Sequence, residues 1–152
     1  MIGGTIENIQ EVQARNQQMI AALQPRGALG EGVKVAGAEL MRYAISITHV
    51  GRYIQSKSGR WRYARPNEPG RGGGALRALH RIDFAQSGGD ATATISLDKD
   101  AVNPLTGQKP SVYGVYEHQR GREHAFYARA VRERGDEALA RGRAVLQRGM
   151  QV

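Results

Sequence analysis

Residues 76–98, LRALHRIDFAQSGGDATATISLD, decide the fold that the sequence predicts. In residues 76–86, and again in residues 91–98, apolar and polar residues alternate, which is the pattern of a half-buried β-strand. Residues 87–90, Ser-Gly-Gly-Asp, lie between the two runs and suit a short hairpin connection. The centre of the chain is therefore predicted to be an antiparallel β-hairpin.

Helices are predicted on both sides of the hairpin. Apolar residues recur at helical spacing over residues 6–23, and Thr5 is placed to act as the N-cap. A second helical pattern begins near residue 31 and fades near residue 54. The last helix is predicted over about residues 124–148, because its apolar stripe is flanked by arginine and glutamate.

The remaining segments are predicted from composition rather than from period. Residues 55–75 hold two prolines and five glycines and show no periodicity, which predicts a long basic loop or extended arm. Residues 112–117 form a short apolar element whose type, strand or helix, the pattern leaves open. The prediction is a single α+β domain over residues 1–152: two N-terminal helices, a hairpin-based antiparallel sheet, a long C-terminal helix and the loop between.

The composition indicates a lean core. Isoleucine, valine, leucine and phenylalanine together make up about a fifth of the 152 residues, which is near the lower limit for folded chains. A fold completed by partners is therefore expected.

The chain has no cysteine, which excludes disulfide scaffolds, zinc fingers, iron–sulfur sites and thiol catalysis. No apolar run approaches the ~18 residues that span a membrane.

Charge is strongly segregated along the chain. The net charge is +8, but residues 51–81 carry eight basic groups and one acidic group, whereas residues 82–119 carry two basic and five acidic groups. Two hypotheses follow. The basic surface could meet nucleic acid, or patches of opposite sign could meet each other between subunits.

No pattern for catalysis or for cofactor binding is found. The glycine-rich residues 70–75 lack the Lys-Ser/Thr pair that a nucleotide-binding loop needs. The four histidines, His49, His80, His118 and His124, match no zinc-ligand spacing. The sequence therefore predicts a protein that is not an enzyme and that has no cofactor and no metal.

The most distinctive polar stretch lies at residues 60–65, Arg-Trp-Arg-Tyr-Ala-Arg, with Arg71 close behind. Alternating basic and aromatic residues can bind single-stranded nucleic acid, because bases stack on the rings while arginines hold phosphates. The same residue types are enriched at protein–protein interfaces. The stretch alone leaves both functions open, and the surrounding fold favours the interface.

Three local patterns carry a resemblance to a known family. Residues 69–82 combine a Pro-Gly loop with Gly-x-Leu-Arg and a strand. Residues 113–117, Tyr-Gly-Val-Tyr-Glu, form a tyrosine-rich segment that is followed by Gly121. Residues 124–128 contain His-x-Phe followed by alanine. In these patterns, and in the order of its elements, the chain resembles the small head–tail joining and tail-completion proteins of long-tailed bacteriophages.

The resemblance implies a structural virion protein, a minor tail or neck component. It would form an oligomeric ring that joins the portal, or an adaptor on it, to the tail proteins, and DNA would pass through the lumen. Assembly would take place in the cytoplasm of the bacterial host, with no membrane and no cofactor involved. The alternative is a nucleic-acid-binding protein that uses the arginine and aromatic arm.

Candidate interface residues follow from the arm and from the family patterns. They are Arg60, Trp61, Arg62, Tyr63, Arg65, Arg71, Leu76, Arg77, Tyr113, Tyr116, Glu117 and Phe126.

Overall fold

The computed structural model describes residues 9–24, 27–65, 67–72 and 75–150, and the fold is α+β, as the sequence predicts. The helices are α1 (Ile9–Leu23), α2 (Ala28–Ile47), α3 (Ala75–Ala78), α4 (Pro110–Gln119) and α5 (Phe126–Gly149). The strands are β1 (Arg52–Gln55), β2 (Trp61–Tyr63), β3 (Arg71–Gly72), β4 (His80–Ser87) and β5 (Asp90–Leu97). Within this part of the chain, no helix is both long enough and apolar enough to span a membrane.

The long helices α2 and α5 form the frame of the fold, and they pack antiparallel through glycine. A Cβ atom added to Gly32 would lie 2.6 Å from the carbonyl oxygen of Gly142, and one added to Gly142 would lie 2.6 Å from the carbonyl oxygen of Gly32. The two backbones therefore touch, and neither position has room for a side chain. Towards the end of α5, Gly149 lies against Ala28 in the same way.

The hairpin β4–β5 packs on the other side of α2. Its pairing runs from His80 opposite Leu97 to Ser87 opposite Asp90, with a two-residue turn in which Gly88 has φ 55°. The predicted alternation is confirmed, since residues at even positions of β4 and odd positions of β5 are the less exposed ones over most of their length. Gly37 of α2 allows this contact, because a Cβ there would lie 2.7 Å from Ala93.

The second helix ends earlier than its periodicity predicts, at Ile47 instead of near residue 54. Thr48 adopts an extended conformation, and its hydroxyl donates to the carbonyl oxygen of Ala44 at 2.6 Å. The guanidinium of Arg77 donates to the carbonyl oxygens of Ser46 and Thr48 at 3.2 and 3.0 Å, so the last turn of the helix is capped from outside. Tyr53 and Ile54, which continue the apolar pattern, belong to β1.

Other boundaries also differ from the sequence prediction. Residues 76–78 belong to the short helix α3, so the first strand of the hairpin begins at His80 rather than near residue 76. Residues 112–117, which the sequence left open, are helical within α4. A 3-10 turn over residues 122–124 precedes α5, which starts at Phe126. The predicted N-cap, Thr5, lies outside the described residues.

The arm over residues 55–75 contains strands that its composition did not predict. In the described part, β1 pairs antiparallel with β2 on one side and with β3 on the other, in the order β2-β1-β3. A turn with Gly59 at φ 81° connects β1 to β2. The strands have two to four residues, too short to show a periodic pattern, so the expectation of an irregular loop is corrected here.

The core is lean, as the composition indicates. The buried apolar residues of the described chain are four alanines and three larger side chains, namely Ala22, Ala44, Ala130, Ala138, Tyr53, Leu76 and Phe126. Small residues bury little apolar area, so close approach of helices takes the place of large side chains.

The glycine contact between α2 and α5 can be tested with two substitutions in one helix. Gly142→Ala forces a methyl group against the Gly32 carbonyl, and we expect it to lower the free energy of unfolding by about 1–3 kcal/mol. Gly135→Ala is the matched control, because its methyl group would meet Val131 at 3.7 Å, an ordinary contact. We expect that control to stabilise the helix by up to about 1 kcal/mol. Urea unfolding measures both, and equal effects would contradict the contact.

Candidate subunit interface

The small sheet β2-β1-β3 carries the arginine and aromatic residues that the sequence singled out. Its inner anchor is Tyr53, whose side chain is buried. Residues directly opposite in an antiparallel pair share a face of the sheet, so Arg71, which pairs with Tyr53, stands on the Tyr53 face, as does Trp61, which pairs with Gln55. Arg71 is exposed and Trp61 is half-buried.

The arm is held in shape by one carboxylate. Glu68 accepts two hydrogen bonds from the Arg62 guanidinium, at 2.7 and 2.8 Å, and a third from the backbone N–H of Arg65, at 2.8 Å. The bonds from Arg62 contribute most, and together these donors lower the pKa of the Glu68 carboxyl to about 2. Arg62 therefore binds within its own chain and stabilises the fold of the arm.

Three arginines in and beside this sheet are exposed. Arg60 lies in the β1–β2 turn, Arg65 follows β2, and Arg71 lies in β3. Among the residues that the structure describes, none of the three forms an ion pair. We call these three arginines together with Trp61 the arm surface. The side chain of Tyr63, another candidate, lies outside the described part.

Two candidates next to the arm act within the fold. Leu76 of α3 is buried and lies against Gly114 of α4, where an added Cβ would be 2.9 Å from it. Arg77 caps the end of α2 through two carbonyl oxygens. Any effect of these two residues on an interface is therefore indirect, through the position of the arm and of α4.

Helix α4 presents the remaining candidates in two different ways. Tyr116 is 66% exposed, and Val112 and Val115 lie on the same helical face, with exposures of 56% and 52%. Tyr113, in contrast, is turned inward, and burial raises the pKa of its hydroxyl while the Asn103 side chain opposes that shift. The outer face of α4 is thus apolar and open to a partner.

The Glu117 carboxylate also lies on α4, and it is engaged locally. It accepts from the Arg120 guanidinium at 3.1 Å, and Nδ1 of the His124 ring lies 2.9 Å from it. These contacts tie the end of α4 to the turn before α5. Phe126 follows directly as the first residue of α5; it is 2% exposed and packs edge-on against the rings of His80 and His118. Phe126 is therefore a core residue.

A chain of part-buried hydrogen bonds runs beside Phe126, and the sequence did not reveal it. The Thr48 hydroxyl uses its single hydrogen on the Ala44 carbonyl, so it must accept from His80 Nε2, 3.2 Å away. Neutral His80 then offers Nδ1 as an acceptor to the Tyr127 hydroxyl at 2.9 Å. His80 comes from β4, Thr48 from the end of α2 and Tyr127 from α5, so no spacing in the sequence indicates their meeting.

We call the chain of hydrogen bonds through Thr48, His80 and Tyr127 the His80 relay. The pKa shifts of its members are those of groups that are removed from water and hydrogen-bonded to each other. Burial lowers the pKa of His80 and raises the pKa of Tyr127. Both shifts favour the neutral forms, which the hydrogen bonds require. Every member bonds another member or the backbone, so the network ties three elements together.

A groove opens next to the relay. Residues 95–97 of β5 form one wall, α4 forms the second, and Phe126 and Tyr127 close the end. Its volume is about 490 Å³, and its lining is mostly apolar. Within the described chain, no group of three or more histidine, aspartate or glutamate side chains is placed to hold a metal ion. The groove is thus a mostly apolar depression between β5, α4 and the start of α5.

Comparisons with protein-family models, with curated proteins and with solved structures find no match to this chain.

The His80 relay predicts that the free energy of unfolding falls in mild acid. Because the pKa of His80 is lowered in the folded state, the unfolded state binds a proton more readily. The stabilisation by neutral His80 is therefore fully present above the unfolded pKa of about 6.5, and it is lost as pH falls below that value. We expect His80→Gln to remove this dependence. Urea unfolding measures the free energy of unfolding of the wild-type chain and of the variant at about pH 8 and about pH 5. The difference between the two should be smaller at the lower pH. A constant difference would contradict the assignment.

The arm carboxylate gives a second prediction. The pKa of Glu68 is lower in the folded state than in the unfolded state. Ionised Glu68 therefore stabilises the fold above about pH 4.5, and this stabilisation is lost as pH falls toward 2. At neutral pH, Glu68→Gln removes the charge that pairs with Arg62, and we expect faster trypsin cleavage within residues 57–71. Glu31→Gln, which disrupts a surface pair with Lys34 on α2, is the control and should leave cleavage of the arm unchanged.

Proposed function

We propose that this chain is a structural subunit of a bacteriophage neck, and that its copies form a ring that joins the portal to the tail and lets DNA pass. The observation that carries the proposal is the surface that one copy leaves uncovered. Among the described residues, twelve large apolar side chains are exposed, whereas Tyr53, Leu76 and Phe126 are the large apolar side chains that are buried. Obligate interfaces are more hydrophobic than the rest of a protein surface.

The uncovered surface is also apolar in patches rather than scattered. On α4 the exposed face consists of Val112, Val115 and Tyr116. On α1 the exposed large side chains include Met19 at 49% and Ile20 at 57%. Contiguous apolar faces of this kind mark surfaces that bind other proteins. They support an assembling subunit over a protein that works alone.

Segregated charge favours a contact between unlike surfaces. The arm surface is basic, and Arg60, Arg65 and Arg71 are exposed on it. The hairpin and the loop after it carry exposed carboxylates, Asp90 at the turn and Asp100 beyond β5. A basic patch on one copy that meets an acidic patch on the next is a heterologous contact, and such a contact closes into a ring when the rotation allows it.

The family patterns coincide with positions that hold this fold together. Leu76 of the Gly-x-Leu-Arg pattern is buried, and Arg77 caps α2. Phe126 of the His-x-Phe pattern closes the core at the start of α5. A resemblance at structural positions supports a shared architecture, and the proposed role as a connector rests on that likeness together with the uncovered surface. The proposed subunit is not an enzyme.

A second candidate function has one observation in its favour. The arm surface combines three exposed arginines with a half-buried tryptophan, which is how proteins hold single-stranded nucleic acid. In that case binding would weaken steeply with salt, since each phosphate contact releases counterions. A conduit for DNA should not hold DNA tightly, so a strong, salt-sensitive affinity would favour this second function.

Native mass spectrometry of the purified chain at moderate and at high salt tests the main proposal. We expect a closed oligomer of one definite copy number, and a shift toward smaller species at high salt because charge pairing is screened. A monomer that carries nucleic acid through purification would support the second function instead.

Charge reversal on the arm surface makes the assembly prediction specific. The double variant Arg60→Glu, Arg65→Glu should weaken association by about tenfold or more at low salt, because it removes attraction and adds repulsion. Arg143→Glu is the matched control, since Arg143 is an exposed arginine on α5 beside the Gly32 end of α2, away from the arm. Association measured by sedimentation should be unchanged in this control. If the double variant assembles as the wild-type chain does, the arm surface is not part of the interface between copies.

A further inference from the structure

The hairpin β4–β5 has two free edges, and its register fixes which backbone groups lie on them. In an antiparallel pair, hydrogen-bonded and non-hydrogen-bonded residue pairs alternate. The two-residue turn makes Ser87 and Asp90 a hydrogen-bonded pair. At the other end of the hairpin, the N–H of Asp98 donates to the carbonyl oxygen of Leu79 at 2.8 Å, which fits the same alternation. Odd residues of β4 therefore bond even residues of β5. The N–H and C=O groups of the other residues point away from the hairpin.

On β5 the outward groups belong to Ala91, Ala93 and Ile95, and on β4 they include those of Ile82 and Phe84. None of these backbone groups has a hydrogen-bond partner within the described part of the chain. Each edge is eight residues long and comes from a sheet of two strands. A two-stranded hairpin of this length is a ready template for a further strand.

The edges also lack the features that keep sheets from pairing with each other. Natural edge strands are protected by charged side chains, proline, bulges or a covering element, and the two charged side chains within β4, Arg81 and Asp83, form an ion pair with each other. Neither β4 nor β5 contains proline or lysine, and their pairing is regular over all eight positions. Residues 91–97, ATATISL, carry no charge at all. A strand edge of this kind is expected to be covered when the protein is in its working state.

A groove lies beside the end of β5, and residues 95–97 and α4 line it. Its lining is mostly apolar and includes Ile95 and Val115. This end of the hairpin therefore offers apolar side chains to a partner.

We infer that, in the proposed ring, the β5 edge of one copy pairs antiparallel with the β4 edge of the next copy. This inference rests on the proposed function and names the seam of the assembly. A second copy is the occupant because one chain offers both edges, of equal length and opposite direction. Pairing of β5 with β5 about a two-fold axis would leave every β4 edge bare, whereas β5-to-β4 pairing covers both edges and repeats around a ring.

Hydrogen exchange of individual backbone amides, read by NMR in the dilute chain and in the assembled state, tests this seam. Ala91, Ala93 and Ile95 should exchange fast in the monomer and slow by about tenfold or more on assembly, as should Ile82 and Phe84. The built-in controls are the even residues of β5, which bond β4 in either state and should stay protected throughout. The alternation by single residues distinguishes a new strand from general shielding.

Each outcome decides between the inference and its alternatives. A ring in which the outward amides still exchange fast would overturn the β-seam and leave the proposed function standing. Protection on β5 alone, with a dimer as the assembly, would show two-fold pairing and overturn the ring seam. A chain that stays monomeric at millimolar concentration, with fast outward amides, would overturn both.

A pair of substitutions at one position provides an independent check. Ala91→Pro removes one outward N–H and leaves the β4–β5 ladder intact, because proline is tolerated on an edge whose N–H faces solvent. We expect association to weaken by about tenfold or more. Ala91→Val keeps the N–H and favours a strand, so its association should match that of the wild-type chain. Equal association of the two variants would contradict the seam.

Discussion

The close approach of α2 and α5 at Gly32 and Gly142 is the contact on which the rest of the structure depends. With no side chain at either position, the two backbones meet, and the remaining alanines of the interface fill the space between the helices. This arrangement gives dense packing from very little apolar volume. It also fixes the opposite face of α2, on which Gly37 receives the hairpin.

A frame built from glycine and alanine stabilises the fold without covering the surface. Large apolar side chains that would form the core of a monomer lie instead on α1, on α4 and on the outer side of α5, where Val131 is 60% exposed. The hairpin, the arm surface and α4 are each attached to the frame by a few specific contacts, such as the His80 relay and the Arg77 cap. The division between a small rigid frame and an open periphery is what supports an assembling subunit.

Much of the fold could be predicted because its periodic signals are strong. The hairpin was found from the alternation around Ile82 and Ile95, and its turn from Ser-Gly-Gly-Asp. Errors arose where a tertiary contact overrode a local pattern: the apolar stripe of α2 continues past Ile47, but Thr48 and Arg77 end the helix. The strands of the arm were missed because two to four residues cannot show a period.

The candidate residues divide along the same line. By itself, the sequence determined the fold class, the segregation of charge and the absence of cysteine, since these follow from local order and composition. Only the tertiary structure decided which arginine side chains find a partner among the described residues. Arg62 is bound by Glu68, Arg77 caps a helix, and Arg60, Arg65 and Arg71 are exposed. The reason is physical: a side chain's partner is set by which elements meet in space, and the meeting of α2, β4 and α5 is encoded in packing rather than in any one segment.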